Sequence, residues 1–326
     1  MLYVGASFDK AYKKAYLYLR ERSLNLLVWV SFDDRKELHR EKLFSLMDSE
    51  VPLLMNVRDS VGRLKHGVNH GSFKTGKTQY SIDDPMELLV DRVTYGGQDK
   101  PHLDILGNFS NGNVFCGSPE IWIYDKIVQM LPNAKYVKYL DMQEIVGERS
   151  FDAMMKLAKE FGFPLPQEKD REFFTSKINN QYRYLLPITI YINKKIQVFV
   201  QQQIHSPQDK IDILPRLSLD SFGMKVGLFV DKSDFEKIMQ DSALRQKIAE
   251  KMQEYLRLLK AKTTSIEANK VTESQVLEYF KENPQIRKVY KGYFDKEFTH
   301  IKANRPDIVE SWKYYQEFER MCEELD

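Results

Sequence analysis

The first half of the chain alternates short apolar runs with amphipathic stretches of helical period. Apolar runs that fit buried strands occur at residues 2–6, 24–32, 51–57 and 134–142. Helical patterns follow these runs, and the one at 151–163 ends at a Gly-Phe-Pro sequence. Because continuous apolar strands alternate with helices here, the pattern predicts a buried parallel sheet in an α/β domain.

The pattern changes near residue 167. Four β-like segments follow at short spacing between residues 171 and 231, namely YLLPITIYI, KKIQVFVQQQ, ILPRLSL and MKVGLFV. From Ser233 onward the chain has helical patterns, which Asn283-Pro284 and Arg305-Pro306 interrupt. We therefore predict an α/β core at 1–166, a β-rich addition at 167–232 and a helical region at 233–326.

Composition narrows the class of protein. The 326 residues are 42% hydrophobic and 12% aromatic, and 49 Lys and Arg residues nearly balance 47 Asp and Glu residues. This balance argues against a nucleic-acid partner. With only Cys116 and Cys322, a reducing compartment is favoured. Neither a signal peptide nor an apolar run of about 20 residues, the length that spans a bilayer, is recognised, so we expect a cytoplasmic protein.

The stretch HGSFKTGKTQ, residues 70–79, matches the phosphate-binding pattern G-x-x-x-x-G-K-[ST]. That pattern binds phosphate only where a strand precedes the loop and a helix follows it. The residues before Gly71 are polar and helix-like, and Pro85 with two aspartates follows the match. The stretch therefore predicts a flexible basic loop, whose Lys74 and Lys77 form a possible lid over a bound anion or acceptor.

A better context for phosphate binding lies at residues 51–70, VPLLMNVRDSVGRLKHGVNH. A strand there is followed by a helix that Asp59 or Ser60 can cap, and α/β proteins bind ligands where strands end in this way. Arg58 and Arg63 offer fork-shaped donors that suit phosphate or sulfate. An anion site is favoured, and the alternative that Arg58 forms an ordinary salt bridge stays open.

Two histidines of the same helix, His66 and His70, are four residues apart and share one face. Their spacing is compatible with metal binding, but no third ligand is suggested, so we predict no metal. Ser7 and Lys10 belong to another candidate turn, GASFDK, between the first predicted strand and the first predicted helix. Such turns cradle phosphates in α/β folds.

The segment RDSVGRLKHGVNH resembles the R-[ND]-P-x-x-R-x-x-S-x-x-x-H stretch of the sulfotransferase superfamily. The later segment VKYLDMQEIVGERSFDAMMKLAKEFGFP resembles another motif of that superfamily, in the same order along the chain. The similarity covers about residues 1–166. It implies a P-loop-like (sulfotransferase-like) parallel sheet core, and it implies that Arg58 holds the 3′-phosphate of the donor nucleotide. Ser60 stands where the superfamily has Pro, and His66 where it has the phosphate-binding Ser.

The chain as a whole is similar to a second family. The segments YRYLLPITIYI, VLEYFKENPQIRKVYKGYF and HIKANRPDIVESWKYYQEFERMCEEL resemble a family of proposed sugar transferases encoded in capsule and surface-glycan clusters of epsilon-proteobacteria. Relatives of that family are thought to place O-methyl phosphoramidate on capsular sugars. The resemblance implies a role in capsule biosynthesis and polysaccharide modification.

Together these observations predict a nucleotide-binding transferase. It would move an anionic group (O-methyl phosphoramidate, phosphoryl or sulfuryl) from an activated nucleotide donor, used as co-substrate without a tightly bound cofactor, to a hydroxyl of a capsular or other surface polysaccharide. The predicted donor-binding residues are Arg58, Ser60, Arg63, Ser7 and Lys10. The candidate general base is His66 or His70, because a neutral imidazole titrates near working pH, with His102 and Glu120 in reserve.

Two alternatives stay open. A nucleotide-sugar-dependent glycosyltransferase usually carries a D-x-D-like metal motif after a strand, and Asp33-Asp34 and Asp83-Asp84 are its nearest candidates here. A non-enzymatic glycan-assembly module would use the helical C-terminal region as its interface. The aromatic cluster of that region is better explained by core packing than by docking, and it comprises Trp312, Tyr314, Tyr315 and Phe318.

Overall fold

The structure is a computed structural model that describes residues 51–70, 73–95, 97–109, 134–176, 182 and 184–325. Its strands are β1 (Val51–Val57), β2 (Phe73–Thr75), β3 (Gln79–Ser81), β4 (Val93–Tyr95), β5 (Ala134–Asp141), β6 (Ile188–Tyr191), β7 (Gln197–Gln202), β8 (Lys210–Asp212) and β9 (Val226–Asp231). These strands and the helices between them form a mixed α/β fold with parallel and antiparallel pairing.

The helices fall into two groups along the chain. Those of the first group are α1 (Ser60–His70), α2 (Met86–Val90), α3 (Ile105–Phe109), α4 (Arg149–Phe161) and α5 (Arg171–Thr175). Those of the second are α6 (Lys232–Gln240), α7 (Ser242–Ala268), α8 (Glu273–Glu282), α9 (Pro284–Asn304), α10 (Pro306–Ser311) and α11 (Lys313–Leu325). No helix of the described part is long and apolar enough to cross a membrane.

The chain packs as two compact units that interleave along the sequence. The first unit takes its described residues from Met1–Gly67, Asp104–Ser176 and Glu273–Asp326, and the second from Val68–Leu103 and Lys177–Thr272. Their boundaries do not coincide with those of the three consecutive regions that the sequence suggests, and that division stays a prediction. Each unit has its own sheet.

In the first unit, β1 pairs with β5 in parallel, so that Val57 lies opposite Asp141 at the carboxyl ends of both strands. Both strands were predicted, and so was the parallel pairing. Helix α4 begins two residues before its predicted start and ends at Gly162, which adopts the left-handed conformation (φ 71°) that favours glycine. The predicted α/β pattern is therefore confirmed for this part of the chain.

The first unit is also held by an aromatic core in its C-terminal helices. Phe298 stacks on Phe294 and meets Trp312 and Tyr315 edge to face, with ring centroids 5.0–5.8 Å apart. Trp312, Tyr315 and Phe318 are buried, so core packing, not docking, accounts for these three members of the predicted aromatic cluster. Tyr314, the fourth member, is half-buried.

The second unit contains a five-stranded sheet of order β3-β6-β7-β9-β8. β3 is parallel to β6, and the other pairs are antiparallel. Buried aliphatic residues of β6, β7 and β9 share one core with the buried face of α7. This confirms the predicted meander from residue 184 to residue 230 in three of its four segments.

Two details of this region differ from the sequence prediction. The segment ILPRLSL, 213–219, is not a strand; β8 ends just before it, and Asp212 Oδ1 accepts hydrogen bonds from the amides of Leu214 and Leu228, which turns the chain. Residues Arg171–Thr175 are helical rather than β-like. A carboxylate that bonds nearby amides competes with strand pairing, and apolar content alone does not reveal it.

The helical C-terminal third is confirmed, with two additional breaks. Asp241 caps α7 by accepting from Leu244 N at 2.9 Å, which divides the first predicted long helix in two. The last predicted helix is divided at Trp312, whose indole is buried. Pro284 and Pro306 occupy the first turns of α9 and α10, where a missing N–H costs least.

Candidate anion-binding site

Asp59 lies in the turn between β1 and α1 and caps two helices at once. Its Oδ1 accepts from Val61 N at 2.9 Å and Gly62 N at 3.5 Å, in the first turn of α1. Its Oδ2 accepts from the amides of Tyr314 and Tyr315, at 2.9 and 3.2 Å, in the first turn of α11. The predicted cap is therefore present, and it fixes the turn that carries Arg58.

These hydrogen bonds change the expected role of the helix N-terminus. In many α/β proteins the first-turn amides of such a helix bind phosphate. Two of those amides donate to the carboxylate of Asp59, and Arg63 N donates to Asp59 O at 2.9 Å. An anion at this turn must therefore be bound by side chains.

Arg58 is the side chain best placed for that task. It follows β1 directly and packs over Gly62, where its Nη2 lies 3.5 Å from the point that a Cβ would occupy. Within the described part of the chain, its guanidinium makes no hydrogen bond or ion pair. Burial lowers the pKa of Arg58, against the opposing influence of the carboxylates of Glu273, Asp59 and Asp141.

Arg63, the second predicted clamp residue, is engaged elsewhere. Both of its terminal nitrogens bond the carboxylate of Glu297, with Nη2 2.6 Å from Oε2. The Glu297 side chain is only 4% exposed. Burial raises the pKa of Glu297, while the charge of Arg63 opposes the rise. Arg63 therefore serves a buried carboxylate in this structure, and its predicted role in donor binding stays a prediction.

Ser60, the next predicted donor ligand, begins α1. It is completely buried, and its hydroxyl has no hydrogen-bond partner among the residues that the structure describes. A buried hydroxyl without a partner is uncommon in folded proteins. In this structure the hydroxyl does not face solvent, and the predicted role of Ser60 in donor binding stays a prediction.

Two further side chains, Lys65 and His66, follow Gly62 by about one turn of α1. Lys65 forms an ion pair with Glu273, with 2.7 Å between Nζ and Oε1. His66 is exposed, whereas Gly62 is buried under Arg58 and Glu273.

His70 belongs to the second unit, whereas His66 belongs to the first. The His70 ring lies beside Tyr184, with 5.9 Å between centroids and 3.5 Å between Nδ1 and the phenol oxygen. Their shared helix face was read from the spacing alone. The structure gives the two histidines different environments.

The segment that matches the Walker pattern is built into β structure. β2 pairs with β4, and β3 pairs with β6, on either side of Gly76 and Lys77. Gly76 N donates to Arg92 O at 2.8 Å, and Arg92 Nη1 donates to the Lys77 carbonyl at 3.3 Å. The prediction of a flexible loop was wrong for residues 73–75 and 79, which lie in paired strands, and residues 76–78 connect the two strands.

Of the two predicted lid lysines, the structure describes the side chain of Lys77 only. Lys77 is exposed, with its ammonium 3.9 Å from Asp84 and 5.2 Å from the centre of the Tyr80 ring. β2 includes the backbone of Lys74, whose side chain lies outside the described residues. The helix that a phosphate-binding loop requires is replaced here by β3, so the Walker match is accidental.

Ser7, Lys10 and Glu120 lie outside the described residues. His102 is half-buried, with Nδ1 lacking a hydrogen-bond partner in the described part of the chain. Among the described residues no three His, Cys, Asp or Glu side chains are grouped as a metal site requires. Asp83, a candidate for the D-x-D motif, is ion-paired with Lys247 at 2.7 Å.

The structure also reveals partners that sequence reasoning missed. Asp141, at the end of β5, accepts from Trp312 Nε1 at 2.5 Å and from Gln143 N at 2.7 Å. The phenol of Tyr139, two residues earlier, lies 2.5 Å from Nδ1 of His300. The only sequence signal for this pair of residues was the polar residue that ends an apolar strand.

Comparison with known proteins gives one match. A family model described as "Protein of unknown function (DUF2972)" matches residues 139–325, more than half of the chain. The matched range includes the last three residues of β5 and all the C-terminal helices, and it begins after Arg58 and α1. None of the curated proteins and none of the solved structures compared with the chain matches it.

Proposed function

We propose that this chain, which belongs to the DUF2972 family, is a transferase with a P-loop-like, sulfotransferase-like core. It moves an anionic group, an O-methyl phosphoramidate, phosphoryl or sulfuryl group, from an activated nucleotide to a hydroxyl of a capsular or other surface polysaccharide. The donor binds as a co-substrate at the face of α1 that Arg58 borders.

The observation that carries this proposal is the state of Arg58. A half-buried guanidinium without a hydrogen bond or ion pair, within the part of the chain described, has lost hydration and gained no direct partner. Its place at the carboxyl end of a parallel strand is where α/β folds bind ligands. A nucleotide phosphate would supply the missing anion, and guanidinium forks bind phosphate in a bidentate manner.

The transfer requires few protein groups. The acceptor oxygen forms a bond to phosphorus or sulfur, the donor nucleotide leaves with the electrons of the broken bond, and a base takes the proton of the acceptor hydroxyl. Arg58 stabilises the negative charge on the donor. His66, which is exposed on α1 and belongs to the same unit as Arg58, is the favoured base.

Ligand-dependent stabilisation tests the proposal. We expect adenosine 3′,5′-bisphosphate, cytidine diphosphate or uridine diphosphate to raise the melting temperature, since a ligand at a hundred times its dissociation constant adds about 2.7 kcal/mol to the free energy of unfolding. Arg58→Ala should abolish this rise while leaving the ligand-free melting temperature almost unchanged. Lys77→Ala should have a smaller effect than Arg58→Ala.

The exposed Arg216 offers a matched control, because Arg216→Ala removes the same charge from the second unit. A rise that persists in Arg58→Ala, or that Arg216→Ala and Arg58→Ala reduce equally, would disprove the proposed site. A rise with uridine diphosphate alone, and only with a divalent cation, would point instead to a nucleotide-sugar-dependent glycosyltransferase.

A further inference from the structure

We infer that Glu273 is a specificity-determining residue of this site. It competes as an internal carboxylate for the cations Arg58 and Lys65, so that only a multiply charged phosphate ligand binds. This inference rests on the proposed function, since it assumes that the ligand's anionic group binds at Arg58. It adds Lys65 as a second cationic ligand and Glu273 as the group that the ligand must replace.

Glu273 and Arg58 approach each other over Gly62. A Cβ on Gly62 would lie 3.5 Å from Nη2 of Arg58 and 3.8 Å from Oε1 of Glu273. Both distances are ordinary van der Waals contacts, so the two side chains cover Gly62. Because Gly62 has no side chain, the cation and the carboxylate can both lie close to the helix backbone, and a ligand that binds Arg58 and Lys65 must displace the carboxylate.

The third side chain of this group is Lys65. Its Nζ lies 2.7 Å from the same Oε1 atom of Glu273, and the two side chains are 29% and 23% exposed. The carboxylate therefore forms an ion pair with Lys65. It acts on Arg58 by its charge, without a hydrogen bond or ion pair. Arg58 and Lys65 both lie beside this carboxylate, so an anion that displaces Glu273 can pair with two cations in a partly desolvated place. The carboxylates of Asp59 and Asp141 also act on Arg58.

This charge arrangement discriminates among anions. A monoanion that replaces Glu273 offers Lys65 and Arg58 no more negative charge than the carboxylate already provides. A pyrophosphate group can pair with both cations at once, and its additional charge offsets the loss of the Lys65–Glu273 ion pair. The ligand class that fits is a nucleotide with adjacent or multiple phosphates, in preference to a monoanionic phosphodiester.

Isothermal titration with inorganic pyrophosphate and with dimethyl phosphate, a monoanion, tests the inference. Glu273→Gln removes the competing charge and keeps the side-chain volume. We expect it to tighten pyrophosphate binding about tenfold, because a like charge next to a bound anion opposes binding. We expect it also to narrow the preference for pyrophosphate over dimethyl phosphate. In the Arg58→Ala background, the gain from Glu273→Gln should be much smaller.

Glu278→Gln provides the matched control, since Glu278 lies on the same helix, α8, and is exposed with Lys281 as its partner at 3.9 Å. It should leave both affinities unchanged. Lys65→Met should weaken pyrophosphate binding about tenfold, as the loss of one charge-assisted contact does.

The outcomes separate the inference from the proposed function. If Arg58→Ala abolishes pyrophosphate binding but Glu273→Gln behaves like Glu278→Gln, the inference is wrong and the anion site stands. If neither the wild type nor Glu273→Gln binds pyrophosphate or any of the three nucleotides, both are wrong. Binding that appears only in Glu273→Gln, with none of these ligands bound by the wild type, would contradict the proposed function.

Discussion

At the scale of single residues, the two arginines of RDSVGR are alike in sequence and opposite in role. Arg63 satisfies a buried carboxylate, whereas Arg58 makes no hydrogen bond or ion pair in the described part of the chain. A pattern of residue types cannot distinguish them, because the partner of Arg63 is Glu297, far along the chain. The distinction decides which arginine is available to a ligand.

Arg63→Ala should therefore affect stability more than ligand binding. It leaves Glu297 buried without a partner, and we expect a loss of about 3 kcal/mol in the free energy of unfolding, measured in urea. Arg58→Ala should change the same quantity by less than about 0.5 kcal/mol. Replacing the pair together, as Arg63→Met with Glu297→Leu, should recover most of the loss. Equal losses for the two single arginine variants would contradict this assignment.

Asp59 shows a second limit at this scale. The sequence identified it as a helix cap, and it caps α1 as expected. Nothing near it in the sequence suggests that its other oxygen caps α11, whose first residues lie 255 positions later. One carboxylate thus joins the turn that bears Arg58 to the C-terminal helix.

At the scale of elements, local pattern predicted most of what the structure contains. The strand at 51–57, the helix that Asp59 caps, the strand ending at Asp141 and the helix ending at Gly162 were all predicted. Each is specified by apolar period and by a cap within a few residues, which are local properties. The Walker stretch was predicted less well, because it has little pattern of its own and its strands depend on pairing with β4 and β6.

Trp312, at the break between α10 and α11, tests how these elements are joined. Its indole is fully buried and donates to Asp141 Oδ2. Trp312→Phe should lower the free energy of unfolding by roughly 2–4 kcal/mol, since it removes a buried hydrogen bond and leaves a cavity. Chemical denaturation measures the loss. Tyr314→Phe, at a half-buried neighbour, should cost little, and a comparable loss there would refute the proposed role of the indole.

At the scale of the whole molecule, the pH dependence of stability is the sum of contributions from several carboxylates, whose pKa values are shifted in opposite directions by folding. Burial raises the pKa of Glu297, and burial outweighs the backbone hydrogen bonds that lower the pKa of Asp59. Burial also acts to raise the pKa of Glu273, but the hydrogen bond and charge of Lys65 reverse the direction and lower it. A single stability curve therefore cannot isolate any of them.

Comparing wild type with Glu273→Gln between pH 3 and pH 7 isolates one contribution. A carboxyl whose pKa is lowered by folding stabilises the protein above its unfolded pKa, and this stabilisation is lost as pH falls through the folded pKa. The difference in unfolding free energy should be constant above about pH 4.5 and decrease below it. Because both side chains keep contact with water, it should not exceed about 0.5 kcal/mol. A difference that grows on acidification would contradict the lowered pKa.

The sequence by itself determined the α/β character of this protein, most strands and helices, and the segment 58–70 as the place to look for an anion site. These follow from apolar period, capping residues and the chemistry of Arg and His, all of which operate within a few neighbouring residues. It also sufficed to reject the Walker match as a phosphate-binding loop.

Only the tertiary structure decided which of these residues remain available to bind a ligand. It paired Arg63 with Glu297, placed His66 and His70 in different units, and brought Glu273 beside Lys65. The physical reason is that burial and ion pairing depend on which distant segments pack together. Segments from both ends of the described chain form the first unit. Whether Arg58 has an ion-pair partner therefore depends on packing between distant segments, which no local sequence pattern reveals.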